Sequence, residues 1–567
     1  MTIAAGIILW AGYKTRQRLQ LSRAKHPSLR GHVKWSRRIA RQIPYFEFSE
    51  ADFFDSDGAP QEIKQQRIDA FNKLRQTLEQ QTGKTIASFE ALKHSISDVD
   101  FTNAYRVPFP YRKVVNKYLS LAPMVIESNG VKLKDLDGNW RIDVSGSYGV
   151  NLFGYDFYKS CMQQGLQKVA RLGPVLGPYH PLIADNVARI KKISGLDEVS
   201  FHMSGTEAVM QAVRLARYHT GKTHLVRLCG AYHGWWDGVQ PGIGNQRQTD
   251  DVYTLSDLSE NTLKVLKTRD DIACVLINPF QALHPNADAS SDAALINSAR
   301  DTRFERQRYT QWLQQIREVC RKRSIVLIFD EVFSGFRLGY RGAQEYFGIQ
   351  ADMVTYGKTI GGGLPIGVVC GSHRLMKRYR EDRPVDISFA RGTFNSHPYV
   401  MACMNEFLKR IESTEIQNQY QHADKLWDDR VARFNREIDA AGLPLRIDNM
   451  LSVFTIIYTR PSRYNWMLQY YLSTEQIALS WIGTGRMIIS HDFSDDDFAE
   501  LVKRFITAAQ KMQQDGWWWS SPALTNQSIK SAMLKAMLAQ RFPILARFLK
   551  TPAFQARSNL STGIKKA

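Results

Sequence analysis

The sequence predicts an α/β fold: a large domain on a mainly parallel sheet, a smaller α+β domain, and helical extensions at both ends. Three observations point there. From Val199 onward, short apolar runs (HLVRLCG, ACVLINP, SIVLIFDE, DMVTYG, GVVCG) alternate with longer stretches of helical period, as strands and crossover helices do. Between Leu121 and Val150, apolar and polar residues alternate around Asp137-Gly138, a hairpin signal. After about Pro398 the pattern returns to helix, with a few strands near Leu451 to Ile457.

Taken in order, residues 1–106 read as a basic, helical N-terminal extension, broken by FSEADFFDSDGAP around residues 48–60. Residues 107–180 read as the first part of the small domain, 181–400 as the large domain, 401–516 as the rest of the small domain, and 517–567 as a basic amphipathic extension. A chain of 567 residues with 44% hydrophobic and 11% aromatic content buries more than one core, which excludes a wholly disordered protein. The cysteines, at 161, 229, 274, 320, 370 and 403, form no CxxC pair and no cluster. That pattern argues against a disulfide framework or a zinc site, and fits a reducing, cytoplasmic setting.

The net charge of +20 is concentrated at the ends. Met1 to Phe46 holds ten Lys or Arg and no acid, and eight more basic residues follow Asp515, again with no acid. The body between them is left with only +2. Such a distribution speaks to partners. Thr2 to Tyr13 (TIAAGIILWAGY) is apolar but shorter than the roughly 20 residues that span a bilayer, and reads as an interfacial anchor, the stub of a longer span, or a frayed helix. Lys530 to Lys550 mixes Met, Leu, Phe and Ile with basic residues as an interfacial helix does, and Trp517 to Trp519 are rings suited to headgroup level. Peripheral attachment to an anionic membrane surface, on its cytoplasmic face, is one expectation; an acidic acyl-carrier protein is the other. Nothing in the core suggests nucleic acid.

The chemistry-bearing residues fall in five places. IVLIFDE ends a buried strand with two carboxylates, where ligands bind in open α/β sheets. DMVTYGKTIGGG sets Lys358 after a second strand and before three glycines, where burial lowers an ammonium pKa toward that needed for Schiff-base chemistry. MSGTEA runs into a helical pattern, so Ser204, Gly205 and Thr206 stand at a helix N-terminus suited to phosphate, or to ordinary capping. Ala231-Tyr232-His233-Gly234 and Arg391-Gly392-Thr393 complete the set.

In this order, these motifs resemble those of the class III, fold type I pyridoxal-phosphate aminotransferases, over roughly Pro108 to Gly516. SGTEAVMQAVRLAR, YHG, LIFDEVFSGFR and GKTIGGGLPIG are most similar to the glutamate-1-semialdehyde 2,1-aminomutases. The resemblance implies pyridoxal 5'-phosphate as cofactor and no metal. It makes Lys358 the Schiff-base lysine and proton shuttle, and Asp330 the partner of the pyridinium nitrogen. Ser204, Gly205 and Thr206 would hold the phosphate, with Tyr232 and Val332 on the two ring faces. Thr393 would reach the phosphate of a neighbouring subunit, implying a homodimer with shared active sites. His233 reads equally as a ring-side assistant or a core histidine. Ser147-Tyr148 stands where the family often has Ser-Trp lining the substrate pocket, and Asn278-Pro279 where it usually has Glu-Pro. The implied activity is amino transfer from a small-molecule donor to an aldehyde or ketone, lipid-like or carrier-bound. An aminomutase, and a non-catalytic scaffold that kept the fold, are the alternatives.

Overall fold

Strands β1 (Val125–Asn129), β2 (Lys132–Asp135) and β3 (Trp140–Asp143) form an antiparallel meander. Its second turn is built from the sequence: Asp135 Oδ1 accepts the N–H groups of Asp137 and Asn139 at 3.1 and 2.8 Å, and Gly138 takes the left-handed φ of +93° the turn requires. This computed structural model describes residues 2–542 except 28–30, 44, 122–123, 241, 243, 248, 280–304 and 481–484. It divides into two units, each assembled from segments distant in sequence. One comprises Met1–Ala40, Phe157–Ala287 and Phe304–Ala423; the other comprises Arg41–Asp156, Asp288–Arg303 and Asp424–Ala567.

The first unit holds the large sheet: β4 (Glu198–His202), β5 (His224–Leu228), β6 (Val252–Leu255), β7 (Ile272–Ile277), β8 (Val326–Glu331), β9 (Met353–Gly357) and β10 (Gly367–Gly371). Their order is β4-β10-β9-β8-β7-β5-β6. From β9 to β6 every pairing is parallel, while β10 runs antiparallel to both β9 and β4. The apolar runs of the sequence are these strands, and β7 to β10 are buried throughout, as parallel strands covered on both faces must be. The segment from Lys358 to Ile366 is too short for a crossover, so β10 has to return antiparallel. The helix Gly205–Thr220 starts at the Ser204 cap and stops at Gly221. It lays Ala208, Val209, Ala212, Val213, Leu215 and Ala216 into the core formed by residues such as Leu225, Leu276, Ile328 and Met353.

In the second unit β13 (Leu445–Met450), β14 (Val453–Tyr458) and β16 (Arg486–Ile488) pair antiparallel, and β15 (Ile477–Ala478) joins β3 in parallel. The intervening numbers, β11 (Tyr379–Arg380) and β12 (Arg383–Ile387), are a hairpin of the first unit. The long helix Gln61–Leu92 packs into an aromatic core of Phe53, Phe54, Phe71, Tyr464 and Trp517. Within it Arg67 is fully buried, forked onto Asp57 with two contacts of 2.8 Å, donating to the Gly516 carbonyl, and stacked on Tyr464.

This core corrects one expectation. Trp517 and Trp518 are not headgroup-level rings; both are buried, with their indole N–H groups donating to Tyr471 Oη at 2.7 Å and Asn465 Oδ1 at 3.0 Å. The helix Asn526–Arg541 that follows also buries Ile529 and Met537. Residues 543–550 of the Lys530 to Lys550 stretch lie outside the described residues. Among the described residues no helix is long and apolar enough to cross a membrane.

Candidate functional site

The C-terminal ends of β8 and β9 and the start of the helix Gly205–Thr220 meet in the first unit. Asp330, buried near the end of β8, is held on three sides. The Val332 N–H donates to Oδ1 at 3.1 Å, the Thr355 hydroxyl to Oδ1 at 3.3 Å, and His233 Nδ1 to Oδ2 at 2.7 Å. Burial lowers the His233 pKa against the opposing pull of Asp330, so the imidazole is kept neutral, with Nδ1–H as donor. Its Nε2 is buried with no hydrogen-bond partner. His233 is thus a core histidine and a neighbour of the Asp330 carboxylate.

Lys358 follows β9 directly and opens the turn Lys358–Gly361 with φ of +52°, a left-handed value that disfavours any side chain. Such strain persists only where the surroundings impose it, and here Thr359 is anchored by the buried Tyr158 hydroxyl. The Lys358 ammonium sits 4.7 Å from the Phe333 ring centroid. The glycines after it are required: Gly362 has φ of +61°, and a Cβ there would lie 2.4 Å from the Cys403 carbonyl oxygen.

At the helix start, Ser204 caps with its hydroxyl, accepting the Glu207 N–H at 3.3 Å. The N–H groups of Gly205 and Thr206 have no carbonyl beneath them in the helix, so they can take an anion. Close packing ties these pieces together. A Cβ on Gly205 would meet Val332 Cγ1 at 2.5 Å, and one on Gly234 would meet Thr206 Oγ1 at 2.5 Å. Helix start, Val332 and the Tyr232-His233-Gly234 loop therefore pack directly against one another, with Tyr232 half exposed. These groups fit a phosphorylated, flat heteroaromatic group. The open N–H groups suit the phosphate, the Asp330 carboxylate suits a protonated ring nitrogen, and an orphaned imidazole nitrogen lies next to that carboxylate.

Thr393 is exposed and makes no hydrogen bond to this cluster among the described residues. Ser147 and Tyr148 belong to the second unit, where both are left-handed, φ +44° and +57°. Ser147 Oγ lies 3.0 Å from the Tyr155 hydroxyl, which donates to the buried Asp143 at 2.6 Å. Asn278 is buried just past the end of β7.

A class III aminotransferase model matches residues 115–441. The chain belongs to the class III aminotransferases. A glutamate-1-semialdehyde 2,1-aminomutase of Hydrogenobaculum sp. (strain Y04AAS1) is 30% identical over 363 residues, covering 60% of this chain and 79% of its own. Among solved structures, a transaminase with pyridoxal phosphate bound is similar at a TM-score of 0.61 and 23% identity, covering 77% of this chain and 99% of its own. A glutamate-1-semialdehyde aminomutase from Pseudomonas aeruginosa PAO1 reaches a TM-score of 0.63 at 17% identity, covering 79% and 98%. This class III aminotransferase is thus a pyridoxal-phosphate-dependent enzyme of fold type I.

Around the site, Thr355, Phe333 and Arg227 carry no sequence signal of their part in it. Arg227, half-buried and with its pKa lowered to about 10 by desolvation, donates to the Ala231 carbonyl at 3.1 Å and to that of Val239, which braces the Tyr232-His233 loop. Glu331, adjacent to Asp330, is a second buried carboxyl, pushed up to about 7 mainly by desolvation and in part by Asp330. It accepts the Ala343 N–H and so ties the helix Gly342–Phe347 to β8. Its folded value lies above the ordinary 4.5, so its stabilising contribution is complete at acid pH and is lost as pH rises toward about 7. Glu331→Gln should flatten this part of the pH–stability curve, by up to about 3 kcal/mol across the window, measured by denaturant unfolding at stepped pH. An unchanged slope would contradict the assignment.

Proposed function

We propose that this enzyme transfers an amino group from a small-molecule donor to an aldehyde or ketone through Lys358. The observation that carries the reading is the convergence of Lys358, Asp330 with its three donors, and the open start of the helix Gly205–Thr220 in one unit. When bound, pyridoxal phosphate supplies an electron sink for the carbanion formed beside the transferred nitrogen. Asp330 holds the proton on the ring nitrogen, and His233 and Thr355 hold Asp330. Gly205 and Thr206 bind the phosphate at the Ser204-capped helix, while Tyr232 and Val332 bracket the ring. Lys358 Nζ makes the covalent attachment and, once displaced, moves the proton at the reacting carbon.

Transamination is preferred to aminomutation because the loop GPVLGPYHPLIAD departs from the aminomutase pattern, while Tyr148 and Asn278 depart from the pattern of the wider family. A homodimer with Thr393 serving the partner's phosphate is part of the proposal. The exposed apolar side chains Trp235, Val385, Ile387, Phe389 and Phe394 of the first unit support it, since aromatic side chains are enriched at interfaces. Attachment of the basic ends to an anionic membrane surface is also part of it, with an acyl-carrier protein as the alternative partner and a lipid-like or carrier-bound carbonyl as acceptor.

The test offers acceptor aldehydes of increasing chain length with a fixed panel of amino donors. Keto-acid release in step with amination, improving with acceptor length, is the expected result. Isomerisation of an amino aldehyde with no donor and no keto acid would favour the aminomutase.

A further inference from the structure

Residues Thr2–Ala24 form one continuous helix whose two halves differ in surroundings. In the second half a stripe of Gln17, Gln20, Leu21 and Ala24, spaced three, one and three residues, is turned in. It is fixed to the first unit by hydrogen bonds from Ser256 N–H to the Ala24 carbonyl at 2.8 Å and from Thr268 Oγ1 to Gln20 at 3.3 Å, both beside the helix Glu260–Thr268. In the first half every residue from Ala4 to Arg16 is exposed, with Leu9 at 75% and Trp10 at 63%. Ile7, Ile8, Leu9 and Trp10 advance by about 100° each and so point to all sides of the helix. A helix apolar all round, with no covered face, has no single seam to offer a second helix.

Immediately behind this apolar tip comes a collar of exposed cations. Lys14, Arg16 and Arg18 follow within two turns, the Lys14 ammonium lies 5.8 Å from the Trp10 ring centroid, and there is no acid before Glu47. Part of the basic set is already engaged in the fold. Arg37 donates to the carbonyls of Asn245 and Arg247, and Lys34 faces Asp250. Lys14, Arg16 and Arg18 face solvent next to the tip, as Arg23, Arg38 and Arg41 do further along the basic stretch. Thr2 to Tyr13 is about 18 Å long as helix, roughly half of a hydrocarbon core about 30 Å thick.

We propose that this segment is a pin that enters one leaflet of an anionic bilayer. Ile7 to Leu9 sit among the acyl chains, Trp10 and Tyr13 at the interface, and Lys14, Arg16 and Arg18 against lipid phosphates. Lipid surrounds such a helix on every side, which a protein groove or a second copy does not. Docking of Gln17 to Ala24 on the first unit makes the pin rigid with the catalytic domain. The proposal rests on the membrane attachment stated above and replaces its diffuse basic ends with one segment.

The test is co-sedimentation of the full chain with phosphatidylcholine vesicles containing or lacking phosphatidylglycerol, at low and high salt. Three proteins are compared: the parent, Ile8→Glu/Leu9→Glu, and Arg16→Glu/Arg18→Glu. Parent binding should require phosphatidylglycerol and weaken with salt without vanishing; the tip variant should lose at least about tenfold in partitioning, because each buried charge is strongly disfavoured. The described native cysteines are all buried, so Leu9→Cys takes an environment-sensitive dye selectively, and that dye should blue-shift on vesicles. Equal partitioning of tip variant and parent overturns the pin while leaving charge-driven attachment standing. No sedimentation of the parent overturns both. A fall in oligomeric size of the tip variant without vesicles overturns the pin in favour of a second copy. Turnover of a soluble acceptor without vesicles should be the same in all three; its absence from the parent would count against the enzymatic reading alone.

Discussion

Lys358→Ala is expected to lower turnover by about a thousandfold or more, because both the covalent attachment and the mobile base disappear together. The phosphate site is untouched by the change, so cofactor should still bind, now displaceable by inorganic phosphate. Stability should hardly move, since alanine and lysine suffer alike at a φ of +52°. Lys358→Gly sharpens the result: it should be equally inactive yet more stable by about 1 kcal/mol, because glycine relieves the left-handed strain. Steady-state keto-acid release together with thermal unfolding measures all of this. Turnover within roughly tenfold of the parent in either variant would remove Lys358 from the chemistry.

The second large effect belongs to Asp330. Asp330→Asn preserves the shape and most of the hydrogen bonds of Val332, Thr355 and His233. It removes only the negative charge that holds the ring-nitrogen proton. The expected loss is at least about a hundredfold in kcat with little change in KM, since an unprotonated ring is a poor sink in the transition state and not in binding. His233→Asn should fall between this variant and the parent, because it weakens the support of Asp330 without removing the carboxylate. Parent-level activity in Asp330→Asn would mean that another group faces the ring nitrogen.

Much of this architecture is legible in the sequence because buried parallel strands write themselves as unbroken apolar runs; VLIFDE and MVTYG are examples. The direction of β10 is not written in GVVCG, yet follows from the shortness of the segment after Lys358. Val252–Leu255 carries too little apolar length to stand out and becomes β6 only by pairing with β5. Motif residues that act through local backbone, such as Ser204 and Gly205, are visible because a cap and a helix start are local events. The His233–Asp330 bond joins residues nearly a hundred positions apart and needs the sheet order to exist. The tryptophans near residue 518 show the limit of composition. An aromatic run beside basic residues has the same appearance whether it faces lipid or a core, and only the distant partners Tyr471, Asn465 and Arg67 decide for the core.

The attachment of pyridoxal phosphate is the point on which the enzymatic account turns. Purified full-length protein loaded with pyridoxal phosphate, reduced with borohydride, digested and mapped by mass spectrometry reads it directly. The cofactor mass is expected on the peptide carrying Lys358 and on no other lysine. Finding it on a different lysine, or on none while the protein is folded, would contradict the account.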